Sequence, residues 1–392
     1  MKKIEVANLK PGQVFSQAVY SEGDNLLLPE GVPLRQKEID FLRNCGINFV
    51  STNGRLLSEE KNAKPPLQEN KIEAKEQEPQ PEKKGTGKFS IRDVQQNAGP
   101  YRAYKTTIEK LAGIFTSIKS GADLEMRVVD NIGLNLLQDL RENTDSFITY
   151  ILGGEVSGNE LAKSSVNTAI LSALTAQELK LSNHKINNIV SGALLHDVGM
   201  FRLSRGITEK KGGLSDAERE QIKSHPLHSS KIVTKELLGS QEVGNITLQH
   251  HERWDGNGYP HKLAGEAIDM GARIVSVADA FEAMVSKKSY RDSMCGYKAV
   301  KNLLADNARR FDPAVIMAFT RIMGIYPIGS IVKLNDGSVA RVTSININAP
   351  MRPVVQMLTD KDNNILHSGE QVIINLLNDK TLFIKNAFEN DE

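Results

Sequence analysis

The chain has 392 residues, 40% of them hydrophobic and 25% charged, with a formal net charge of +1. It is too long for one compact core, and its balanced charge favours neither a polyanionic partner such as DNA nor a membrane surface. Only Cys45 and Cys295 occur, far apart and without CxxC spacing, which argues against a disulfide framework or a thiolate zinc site and fits a reducing compartment. The opening Met-Lys-Lys-Ile-Glu-Val lacks the apolar run of a signal peptide, and no later stretch could span a bilayer, so a cytoplasmic protein is expected.

Residues 1–57 read as a small α+β unit. Ile4, Val6, Leu9, Val14 and Phe15 suggest strands around Pro11-Gly12, and Ile39 and Leu42 suggest a short helix stopping at Cys45-Gly46. Residues 58–90 alternate Lys and Glu with Gln and Pro, a composition that cannot bury enough apolar surface to offset its ordering entropy, and read as a flexible linker. A helical lead-in is expected over 91–154, from the spacing of Ile108, Leu111 and Phe115 and then of Leu124, Val128, Ile132, Leu136 and Leu140.

Helical periodicity continues over 155–325, broken by loops that carry polar clusters. Asn159-Glu160 opens a helix, and Ile186, Ile189, Val190, Ala193 and Leu194 form the apolar face of the next, which runs into His196-Asp197-Val198-Gly199. Ser215 and Glu218 form a capping box for a helix expected to end at His225-Pro226. Asp279 sits within the apolar face of a helix over 271–286. From residue 326 to 392 the period switches to two, with a hairpin turn at Asn335-Asp336-Gly337 and a last strand expected from Ile373 to Ile384, giving a small β-rich appendage.

The polar residues carry the chemistry. Taken singly, each His has an ordinary explanation as a hydrogen-bonded core or surface residue. Asp279 is harder to place, because a buried carboxylate without a partner costs several kcal/mol and calls for a cation. His196, Asp197, His225, His250 and His251 close other helices and offer imidazole nitrogens and a carboxylate. One carboxylate bridging two cations, ringed by histidines, suits an in-line phosphoryl displacement. Mixed nitrogen and oxygen ligands without thiolate suit Fe, Mn or Zn.

His196-Asp197 with Gly199, His225-Pro226, the run His250-His251-Glu-Arg-Trp-Asp-Gly-Asn-Gly258-Tyr259-Pro260 and Val277-Ala278-Asp279-Ala280-Phe281 together resemble the HD-GYP domain, a branch of the HD phosphohydrolase superfamily. The resemblance covers about residues 155–325 and implies a mainly α protein. A helical HD-type bundle would be flanked by the N-terminal α+β unit and the β-rich appendage. It further implies two or three divalent metal ions, often Fe or Mn, and hydrolysis of cyclic di-GMP to pGpG or GMP. Carried over by position, His196, Asp197, His225, His250, His251 and Asp279 would be metal ligands, with Asp197 as the bridging, catalytic carboxylate, and Glu160 would ligate a third metal. Lys288 and Arg291 would meet substrate phosphates, while Tyr259, flanked by Gly258 and Pro260, would border the guanine pocket. A protein partner, reached through the Gly-Tyr-Pro loop or the N-terminal unit, and a dimer are further options.

Two departures stand out. The family begins its ligand set with a histidine where this chain has Ser164, and it follows the His-Asp motif with a lysine where this chain has Met200. Loss of one phosphate contact costs orders of magnitude in rate without abolishing binding. The leading expectation is a metal-dependent cyclic di-GMP phosphodiesterase of reduced activity. The alternatives are a catalytically weak module that binds cyclic di-GMP or a protein, and a phosphohydrolase acting on another nucleotide.

Overall fold

The computed structural model describes residues 2–21, 25–28, 30–44, 47–59, 98–153, 158–208, 210, 212–286, 293–307, 309–362, 364–366, 372–379 and 381–388. Most of the expected linker, along with Lys288 and Arg291, lies outside them. The architecture is mainly α, with a small antiparallel sheet system at each end of the chain.

The N-terminal unit holds six short strands: β1 (Lys2–Glu5), β2 (Gln13–Phe15), β3 (Val19–Ser21), β4 (Asn25–Leu28), β5 (Phe49–Thr52) and β6 (Leu56–Glu59). Their orders are β1-β5-β3-β4 and β2-β6. Helix α1 (Gln36–Asn44) buries Ile39 and Leu42 in the core of this unit, as their spacing predicts.

Two long helices follow, α2 (Ala98–Ser120) and α3 (Met126–Gly153), packed on one another. Helix α4 (Glu160–Glu178) begins at Asn159, whose side chain accepts from the Ala162 amide at 3.0 Å. From Ala162 to Ala176 it is buried on nearly every side, lined with Ala, Ser and Thr. Small side chains let neighbouring backbones approach closely, and α2, α5 (Asn183–Leu195), α9 (Met270–Val285) and α11 (Pro313–Met323) all pack on it. Such a helix is the axis of the bundle, and α5 and α9 carry two parts of the site on its flanks.

The capping box at Ser215 is present and starts α6 (Asp216–Ile222). The helix does not run on to His225-Pro226. It stops at Ile222, and His225 opens α7 (His225–Lys231) with Pro226 in its first turn, where a missing amide hydrogen removes no helical hydrogen bond. Helix α8 (Gln241–Gln249) is capped by Ser240 and ends at His250. Helix α9 is capped by Asp269, and α11 by Asp312 with Pro313 next to it. Between α9 and α11 lies α10 (Gly296–Ala305). No helix among the described residues is long and apolar enough to cross a membrane.

The C-terminal sheet contains β7 (Ile331–Leu334), β8 (Val339–Ser344), β9 (Val354–Met357), β10 (Ile373–Asn375) and β11 (Ile384–Ala387) in the antiparallel order β10-β9-β8-β7-β11. Gly337, at φ +100°, makes the tight β7–β8 turn. The single last strand expected from Ile373 to Ile384 is instead two strands on opposite edges. Asp379 separates them, its carboxylate accepting from the Thr381 and Leu382 amides at 2.7 and 3.0 Å and closing a turn. The two end units touch: the Arg35 guanidinium lies 4.7 Å over the Phe383 ring and donates to the Ile384 carbonyl at 3.3 Å.

Candidate metal centre

Three helix ends and one helix face converge on a single nest. Asp197 follows the end of α5, His225 starts α7, His250 and His251 follow α8, and Asp279 projects from the middle of α9. Ligand atoms of Asp197, His225, His250 and His251 all lie within 4.8 Å of one another. His196 and Asp279 join them, with His196 Nε2 3.5 Å from Asp197 Oδ2 and 3.6 Å from Asp279 Oδ1.

Backbone carbonyls set the tautomers. Nδ1 of His196 is 2.7 Å from the Ala193 carbonyl, that of His225 is 2.7 Å from Ile222, and that of His250 is 2.9 Å from Thr247. Each carbonyl belongs to the residue three positions earlier, so a helix end supplies both the imidazole and its anchor. With each Nδ1 held at a carbonyl, each Nε2 is turned into the nest. Asp197 divides its two oxygens between these nitrogens. Its Oδ1 is 3.0 Å from His225 Nε2 and 3.7 Å from His250 Nε2, while its Oδ2 faces His196.

Charge in the nest suits a cation. Burial works to strip the His196 proton, but Asp197 and Asp279 outweigh it and hold the pKa at about 9. Burial opposes ionisation of Asp279 too, yet His196 brings it down to about 2. Asp197 is held well below the usual carboxylate range; burial is again overcome, here by His196 with His225 and His250. Burial pushes His250 and His251 down, so both are neutral at pH 7. Two ionised carboxylates among these imidazoles make the nest a site of acceptor character, with His196, His225 and His250 themselves buried.

The donors themselves fit a metal ion. His196 Nε2 is buried without a hydrogen-bond partner, and a buried polar atom left so is costly. His225 Nε2 and His250 Nε2 face each other at 3.3 Å with each Nδ1 beside a carbonyl, so the two imidazole nitrogens lie close enough to share one cation.

Glycines hold the geometry. A Cβ on Gly199 would stand 2.1 Å from the His225 carbonyl oxygen and 2.6 Å from the Ser229 amide, so the turn after Asp197 can lie against α7 only with glycine there. The Gly199 amide donates to Ser229 Oγ at 2.8 Å across the same contact. At Gly258 a Cβ would meet the Arg253 amide nitrogen at 2.4 Å, while Gly256, at φ +77°, supplies the left-handed turn expected of this loop. Pro260 follows, and Tyr259 between them places its ring 4.9 Å from that of His251.

Several supporting residues went unread in the sequence. Glu252, almost fully buried, accepts from the His261 and Leu263 amides at 2.6 and 3.1 Å and so shapes the Gly-Tyr-Pro loop. Arg273 on α9 pairs with Asp312 at 2.8 Å and lies 5.6 Å from the Trp254 ring, tying the loop to α9 and α11. Ser164 Oγ donates to the buried carboxylate of Glu282 at 2.6 Å, and Asn167 and Ser286 bond that carboxylate as well. Asn167 in turn accepts from the Tyr104 hydroxyl on α2 at 2.6 Å. A buried serine opposite a glutamate 118 residues away leaves no local signal. Glu160 lies exposed at the first position of α4 and is not among the groups gathered in the nest.

Comparison with known proteins bears on this arrangement. Residues 156–315 match the HD domain and residues 331–392 the KOW domain associated with HD domain. The chain is 31% identical over 246 residues to cyclic di-GMP phosphodiesterase PdeB of Borreliella burgdorferi, covering 63% of this chain and 64% of that protein. It is 32% identical over 193 residues to cyclic di-GMP phosphodiesterase PA4108 of Pseudomonas aeruginosa, covering 49% of this chain and 46% of the other. It thus spans less than two thirds of the length of either relative. Among solved structures, Bd1817, an HDG"Y"P protein from Bdellovibrio bacteriovorus, aligns over 82% of this chain and 98% of its own at 18% identity, with a TM-score of 0.47. Residues 156–315 are thus an HD domain that carries the HD-GYP signature, followed over 331–392 by the KOW domain associated with it.

Proposed function

We propose that the chain is a metal-dependent phosphodiesterase that hydrolyses cyclic di-GMP to pGpG or GMP. The observation that carries this reading is the division of Asp197, whose two oxygens face separate sets of imidazole nitrogens, so that one carboxylate would serve two cations. The relatives named as cyclic di-GMP phosphodiesterases supply the substrate class.

In this reading His196, Asp197, His225, His250, His251 and Asp279 hold two divalent ions, Fe or Mn in preference to Zn. Bound there, the ions supply Lewis-acid neutralisation of charge on the phosphoryl oxygens. The chain's own residues do the rest. The three carbonyl-anchored imidazoles keep their lone pairs aimed inward, and Tyr259 walls the nest where a base would rest. Helix ends fixed by Gly199 and Gly258 hold these groups in register before substrate arrives, which lowers the reorganisation demanded at the transition state. With Glu160 exposed, a third ion is not part of this reading. Segments 1–57, 58–90, 91–154, 155–325 and 326–392 are taken as the working units, the first a candidate input module.

A second reading, a sensor that binds cyclic di-GMP without cleaving it, is favoured by Ser164, whose hydroxyl is bonded to Glu282 where an imidazole ligand would stand. Turnover of cyclic di-GMP by the full chain, with Mn or Fe added, separates the two. The phosphodiesterase reading expects linear product that disappears on chelation and falls on the order of 10²- to 10³-fold or more in Asp197→Asn. Tight binding with no product under any metal favours the sensor, and neither binding nor product ends both.

A further inference from the structure

We infer that Lys223 is the cation that receives a phosphate of the anionic substrate at the mouth of the nest, with Glu220 as its resting counter-ion. This rests on the phosphodiesterase reading and adds to it a binding residue. Lys223 follows α6, two positions before His225, so its backbone is fixed by the same turn that delivers a nest imidazole. Its Nζ stands 6.0 Å from the centre of the Tyr259 ring, and that ring is 4.9 Å from the ring of His251. Tyr259 therefore touches the nest and the ammonium group alike.

The chemistry of the substrate asks for such a group. A cyclic dinucleotide carries two phosphates on one covalent ring. When one meets the nest, the other is left several ångströms outward with its charge unmet. Of the described cations around this loop, Arg253 is held bidentate by Asp255 at 3.0 and 2.7 Å, and Arg273 by Asp312. Arg310 stacks on Phe311 at 4.9 Å and adds a further positive charge near Tyr259, against which Lys223 is distinguished by its exposed, weak pairing. Lys223 is held only by Glu220, at 2.5 Å, and both side chains are largely in solvent, 45% and 68% exposed. A pair of that kind contributes little and exchanges readily for a phosphate. Met200, in the turn that Gly199 presses against the His225 carbonyl, brings no charge to the same region.

The test uses the full chain loaded with manganese. KM and kcat are measured for cyclic di-GMP, and the affinity for inorganic phosphate is titrated separately. Lys223→Gln is expected to raise KM and weaken phosphate binding about tenfold, the scale of one hydrogen bond to a charged group, with kcat within about twofold and metal content unchanged. Lys223→Arg should restore most of the loss, and Glu220→Gln should lower KM by about twofold by freeing the ammonium group. Unchanged KM and phosphate affinity in Lys223→Gln would overturn the assignment. So would a fall in kcat accompanied by metal loss, which would mark a structural role. Should the wild-type chain prove inert toward cyclic di-GMP, the substrate reading falls by itself and phosphate affinity alone decides for or against Lys223.

Discussion

At the scale of single residues, the nest was legible because its members break a local rule. Asp279 interrupts an apolar helix face, His196 and His250 close helices, and His225 sits beside a proline at a helix boundary, places where a buried polar group calls for a partner. Ser164 was not legible in the same way. Read alone it is a missing ligand, whereas the structure shows its hydroxyl satisfied by Glu282 in a buried network reaching Tyr104. Placing an imidazole there sets it in the space of the Glu282 carboxylate, so Ser164→His alone should lower stability and gain no metal. Ser164→Ala should cost about 1–3 kcal/mol in denaturant unfolding while leaving the metal content of the nest intact, and loss of metal in that variant would tie Ser164 to the site directly. His196 gives a pH signature. Its folded pKa of about 9 exceeds the ordinary value of 6.5, so the stability it lends the metal-free chain is full below pH 6.5 and lost as pH rises through 9. A cation must displace that proton. Binding of Mn at pH 7.5 should therefore release about one proton from His196, read as a buffer-dependent heat in calorimetry, and tighten as pH climbs toward 9. Heats identical in buffers of different ionisation enthalpy would contradict this.

At the scale of elements, the helix starts at Asn159 and Ser215 were readable in the sequence because a cap is a local event between neighbouring residues, and the structure adds caps of the same kind at Ser240, Asp269 and Asp312. Ends were harder. His225-Pro226 looked like a stop and is a start, since proline is compatible with both and only the packing of Gly199 against α7 decides. The loop that joins α8 to α9 is held by long-range contacts that no spacing reveals. Arg273 and Asp312 are 12% and 5% exposed, and the guanidinium also faces Trp254. Breaking that pair with Arg273→Leu leaves Asp312 without its cation. A loss of about 3 kcal/mol in stability is expected, with a raised KM as the Gly-Tyr-Pro loop loosens. Unaltered stability would mean that the Asp312 cap alone holds the loop.

At the scale of the whole molecule, the change of period from helical to alternating near residue 326 separated the HD domain from the KOW domain that follows it, and composition set apart the segment ahead of α2. What the periodicity could not supply was adjacency. The N-terminal unit meets the C-terminal sheet through Arg35 and Phe383, nearly 350 residues apart, and α2 reaches the HD domain through Tyr104. The central claim is that all of this frames a nest for metal ions. Its most direct measurement is anomalous diffraction from crystals of the full chain soaked in manganese. Two peaks are predicted, one beside His196 and Asp279 and one beside His225 and His250, with Asp197 between them. Peaks absent from this nest, with manganese bound elsewhere or not at all, would contradict the account.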